Sequence, residues 1–229
     1  MEFASRDPIE DDRSFGSPSL YSPPVADLPI ELPTELADRL AVSLDAEGKI
    51  VRALDALGPL AGRDVVLLGR DELRRRQLTE LGARVTPIPW PIDGARAPRA
   101  ESADAVVGLW SPFRGLVPTE VAAAERLLRP RGRLLVVHDY GRDDVSRLRG
   151  DLPDYGSWTR RDGPFLASGF RIRVVHCWWT FASVEEARAF LGSAFGEVGE
   201  RFGADLRRPR LSYNVAIYHR TRSESGGPS

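Results

Sequence analysis

Residues 64–88 read DVVLLGRDELRRRQLTELGARVTPI, and they hold one complete strand, helix and strand. Asp64 to Gly69 has no polar break after its first residue, which suits a central strand covered on both faces, as in a parallel sheet. Asp71 to Leu81 reads as a helix closed by Gly82, because glycine is the residue that most readily ends a helix. Ala83 to Ile88 is then the next strand. The unit is strand, crossover helix, strand, the building block of parallel α/β sheets.

Outward from this unit the rhythm repeats. After a Pro- and Arg-rich connection, Pro89 to Ser102, the pattern predicts a strand over Ala103 to Trp110, a helix over Thr119 to Leu128 and a buried strand over Arg133 to His138. A helix around Trp158 to Ala167 follows, then a long strand from Phe170 to Phe181, a helix from Val184 to Phe195 and a last strand from Leu211 to Arg220. On the N-terminal side, Thr34 opens a helical pattern through Leu44, and a second runs from Asp45 through Leu57. Such alternation implies an α/β, doubly wound sheet.

A chain of 229 residues with 42% hydrophobic and 28% charged content suits a single globular core. No apolar run approaches the roughly 20 residues of a membrane helix, and the first residues lack the basic-then-apolar order of a secretory signal. A cytoplasmic protein without membrane contact is expected. Cys177 is the only cysteine and there are three histidines, so neither an internal disulfide nor a metal site is expected. A net charge of −1 gives no general attraction to nucleic acid. The basic clusters at Arg74 to Arg76, at Arg129, Arg131 and Arg133, and at Arg207, Arg208 and Arg210 read as solvated faces. Residues 1–32 are rich in Pro, Ser and Asp and read as a flexible tail, in which the opening EFASRDP is what a translated polylinker would encode. Residues 33–221 are then the folded domain and 222–229 a disordered C-terminal tail.

Four stretches, AGRDVVLLG at 61–69, ADAVVGLWSPF at 103–113, ERLLRPRGRLLVVHDYG at 125–141 and the block from GFRIRVVHCWW to YNVAIYHR, together resemble the class I S-adenosylmethionine-dependent methyltransferases. The third is the most specific. That family enters its fifth strand through L-[KR]-P-G-G-x-L-[LV], and residues Leu128 to Leu135 depart from this only at Arg131. The resemblance implies a Rossmann-like methyltransferase fold, a mostly parallel seven-stranded sheet in the order 3-2-1-4-5-7-6 whose final strand is antiparallel.

It also implies where a cofactor would lie, at the carboxyl ends of the strands. The family follows its first strand with an acidic-x-Gly-x-Gly-x-Gly turn; here the turn runs Gly69, Arg70, Asp71, Glu72, and only Gly69 matches. The family ends its second strand with an acidic residue for the ribose hydroxyls; here Pro89 stands there. Substitute contacts would be Asp71 or Glu72 for the ribose and Trp90 or Trp110 for the adenine ring. Trp110 and Ser111 begin the segment that would line the substrate side. His138, followed by Asp139, is the candidate general base, since imidazole titrates near neutral pH. Two functions are thus expected from these residues. One is a methyltransferase-like protein with a degenerate S-adenosylmethionine site that serves as a non-catalytic binding or assembly module, with no cofactor. The other is an active methyltransferase of a small molecule with an atypical cofactor site. A homodimer paired through the last strands, and a small-molecule ligand at the carboxyl edge, complete the expectation.

Overall fold

Three apolar runs, at 65–68, 105–109 and 134–137, form the interior of one sheet as parts of β1 (Asp64–Leu68), β3 (Ala103–Leu109) and β4 (Leu128–Asp139). The structure, a computed structural model, describes residues 43–69, 71–92, 98–149 and 153–223. The expected tail at 1–32, the helical pattern from Thr34 to Val42, and Arg70 lie outside them. With β2 (Arg84–Ile88), β5 (Arg171–Thr180) and β6 (Arg210–Thr221), the strands stand in the order β2-β1-β3-β4-β6-β5. The first four are mutually parallel, and β6 runs antiparallel between β4 and β5.

The sheet holds six strands among the described residues, not seven. Only residues 89–102 connect β2 to β3. A further edge strand there would require two crossovers of a dozen or more residues each, and that stretch is too short for them.

Because side chains alternate along a strand, β4 sends Leu135 and Val137 into one apolar layer and Leu134 and Val136 into the other. The first layer is closed by α1 (Lys49–Leu57), α2 (Glu72–Glu80), α4 (Asp144–Arg149) and α7 (Val184–Ala204), and the second by α3 (Pro118–Arg126), α5 (Pro153–Trp158) and α6 (Pro164–Ala167). The single helix expected over 158–167 is two short ones, because Pro164 can start a helix but cannot continue one from Trp158. In α7 the expected end at Phe195 is instead a kink at Gly196 (φ 55°, ψ −140°), beyond which the helix resumes to Ala204. At the end of the described residues the Arg222 N–H donates to the Gly132 carbonyl at 2.8 Å, and its guanidinium pairs with Glu101.

Cys177 is buried in the first layer, and burial pushes its thiol up to about 12. A thiol held that far from ionisation is a poor nucleophile. At mildly alkaline pH the folded protein is expected to react negligibly with a disulfide reagent over minutes, and to release one equivalent promptly on unfolding; fast labelling of the folded state would contradict this placement.

Candidate active-site edge

At the carboxyl ends of β3 and β4 the sheet alternation separates two neighbours in sequence. Asp139 points to the first layer and His138 to the second, so the structure does not bring them together. His138 is fully buried, and its Nε2 lies 2.9 Å from the Arg114 carbonyl. A carbonyl only accepts, so Nε2 carries the proton. The ring is surrounded by Trp158, Phe165 and Tyr218, with centroids at 5.1, 6.0 and 6.4 Å. The imidazole is thus enclosed by aromatic rings on the second layer.

Asp139 anchors a buried polar cluster. The Trp110 indole donates to its Oδ1 at 2.8 Å, and the Tyr213 hydroxyl donates to the same oxygen. Trp110 and Tyr213 are stacked with centroids 6.4 Å apart, and the guanidinium carbon of Arg74 lies 5.6 Å from the Trp110 ring centroid. Trp110 is 1% exposed and has φ 43°, a left-handed conformation costly for any residue but glycine. The Trp110 ring named as an adenine contact thus packs on Tyr213 and Arg74 and donates its N–H within the protein.

Arg74 departs from the sequence reading as well. Instead of lying on a solvated face it is 2% exposed, and it donates to Gln77 Oε1 at 2.7 Å. Two carboxylates, the buried Asp45 and the half-buried Asp71, lie within its electrostatic reach. Asp45 accepts from the Lys49 and Ile50 N–H groups at 2.7 and 2.8 Å, capping α1, and burial raises its pKa. Asp71 caps α2 by accepting from the Arg74 N–H at 2.9 Å, and burial raises its pKa too. The signal for Arg74 was its place one helical turn before Leu78, which is buried on the same face of α2. For Tyr213 it was strand alternation with Val215 and Ile217, both in the first layer.

The remaining predicted residues line the rim. Gly69 has φ 103°, and a Cβ there would stand 3.5 Å from the Ser111 side chain. Ser111 is itself buried, its hydroxyl 3.3 Å from the Phe113 carbonyl. Trp90 is half-buried and packs edge-on against Phe113 at 4.7 Å, while Glu72 is exposed and paired with Arg75. Among the described residues no group of three or more His, Cys, Asp or Glu side chains could hold a metal, and no helix is long and apolar enough to cross a membrane.

No protein-family model matches the chain, and no curated protein matches it in sequence. Removing the outermost strand from the methyltransferase order 3-2-1-4-5-7-6 leaves the order found here, with the same antiparallel strand between two parallel ones. The fold is methyltransferase-like. Solved structures with a likeness to this methyltransferase-like chain include a protein of Anaeromyxobacter dehalogenans assigned as a type II methyltransferase, 16% identical over 76% of this chain and 95% of that one, with a TM-score of 0.47. The YcgJ protein of Bacillus subtilis is 10% identical over 76% of this chain and 98% of its own, with a TM-score of 0.42. Phosphoethanolamine N-methyltransferase 2 of Haemonchus contortus, solved with phosphomonomethylethanolamine and S-adenosylhomocysteine, is 13% identical over 78% of this chain and 53% of its own, with a TM-score of 0.40. The strand order, not these likenesses, assigns the methyltransferase-like fold.

Proposed function

We propose that residues 33–221 form a methyltransferase-like binding or assembly module of the cytoplasm that is non-catalytic and does not take S-adenosylmethionine at its carboxyl edge. The observation that supports this reading is the buried cluster of Asp139, Trp110, Tyr213 and Arg74, in which the Trp110 indole and the Tyr213 hydroxyl both donate to Asp139 and the Trp110 ring packs on Tyr213 and Arg74. The described residues do not fit the cofactor. Pro89 has no side-chain acceptor for ribose hydroxyls, and Asp71 is engaged as a helix cap. No step of methyl transfer is assigned to these residues. A small molecule seated near Trp90, and a second copy of the chain paired along β5 at the margin of the sheet, are the partners this reading favours.

Loss of two hydrogen bonds to an acceptor, each worth on the order of 1 kcal/mol or somewhat more, corresponds to roughly a hundredfold loss of affinity or more. Calorimetric titration with S-adenosylmethionine and with S-adenosylhomocysteine is expected to give no saturable heat. Low-micromolar dissociation for either compound would overturn the reading in favour of an active methyltransferase, with Asp71, Glu72 and Trp90 as the contacts to substitute next.

A further inference from the structure

The opposite edge of the sheet holds a second concavity that the reading above does not use. At the amino ends of β1, β3 and β4 lies a cavity of about 450 Å³, within the size range of small-molecule sites. Among the described residues its wall includes Arg63, Arg131 and Arg133 and one carboxylate, Asp104. That carboxylate is already engaged: Arg129 bridges it at 2.9 Å to Asp64, while Arg63 stands off at 3.9 Å. Asp64 is engaged too, its carboxyl lowered to about 2 by hydrogen bonds from Arg84 and Arg129. Among the described residues the local excess is therefore positive.

Two features of the backbone shape this wall. A Cβ on Gly58 would fall 2.8 Å from the guanidinium carbon of Arg133, so the bare glycine is what lets that guanidinium lie against the loop between α1 and β1. Among the described residues no carboxylate pairs with Arg133; it lies instead near His219, whose pKa is lowered by burial first and then by Arg133, Arg171 and Arg173. Arg131 has φ 65°, a conformation glycine would adopt without strain, and its N–H is held by the Arg222 carbonyl at 3.2 Å. Strained residues of this kind cluster where a side chain has a task.

We propose that this cavity binds the phosphoryl group of a small phosphate ester, with Arg63 and Arg133 as its principal contacts and Arg131 at the rim. Planar guanidinium groups match phosphate oxygens in paired hydrogen bonds, and a dianion is the charge complement of Arg63 and Arg133 beside a carboxylate that Arg129 already engages. The site is separate from the carboxyl edge and stands whether or not S-adenosylmethionine binds there.

The test is titration of the full chain with ribose 5-phosphate, inorganic phosphate and a short single-stranded RNA, followed by calorimetry and by phosphorus NMR. Saturable binding of ribose 5-phosphate is expected, stronger than that of inorganic phosphate. Arg133→Gln and Arg63→Gln should each weaken it about tenfold or more. Arg160→Gln, on an exposed residue paired with Asp162, should leave it unchanged. Asp104→Asn should tighten it several-fold, an effect that mere damage to the fold would not produce. Absence of saturable binding by both phosphates, binding indifferent to Arg133→Gln, or RNA binding without binding of the ester would each overturn the proposal.

Discussion

Trp110→Ala is expected to lower the free energy of unfolding by about 3–5 kcal/mol, the range for deleting a large buried aromatic side chain. For a chain of this size that corresponds to a fall of roughly 6–20 °C in Tm. The size of the loss follows from what the ring does. It is 1% exposed, it lies over Tyr213, it carries the Arg74 guanidinium, and its indole N–H occupies Asp139 Oδ1. Trp110→Phe keeps most of the volume and deletes the donor, so it should cost about 1–3 kcal/mol, the penalty for leaving a buried polar group short of a partner. Urea unfolding midpoints at unchanged slope measure both. A loss under about 1 kcal/mol for the alanine variant would place the ring outside the core and reopen it as a ligand contact.

The second large effect lies on the other face of β4. Phe165→Ala should also cost about 3–5 kcal/mol. Phe165 is fully buried and stacked on Tyr218 with centroids 3.8 Å apart, and its edge contacts reach Phe170 at 5.4 Å and Trp158 at 5.9 Å. It also forms part of the wall around His138. Phe165→Leu, which refills part of the space, should recover a good share of the loss in the same denaturation experiment. Equal losses for the two substitutions would mean that the site responds to something other than cavity volume.

These two substitutions also separate what each kind of information reveals about the candidate site. From the sequence, Trp110, His138 and Asp139 looked like neighbours at one strand edge, and so they are along the backbone. Only the packed structure decided that Asp139 and Trp110 share the first layer while His138 faces the second, because a strand turns successive side chains to opposite sides.

The order of strands and helices, the three buried central strands and the glycine closing α2 were legible in the amino-acid pattern. They follow from short-range rules: apolar runs covered on both faces, helical periodicity, and residues that end helices. The absence of a family acidic residue at Pro89 was equally plain, since it is a matter of residue identity. The tertiary structure alone decided the rest. Arg74 to Arg76 looked like one solvated basic run, yet Arg74 is buried against Trp110 while Arg75 pairs at the surface with Glu72. Tyr213 and Asp139 stand 74 positions apart, and they meet because β6 inserts antiparallel beside β4. The cavity at the amino edge is assembled in the same way, from a loop before β1, the start of β3 and the bend in β4. Local sequence dictates which way a segment folds; which charged groups then lose their water, and which find partners, depends on distant segments that packing brings together.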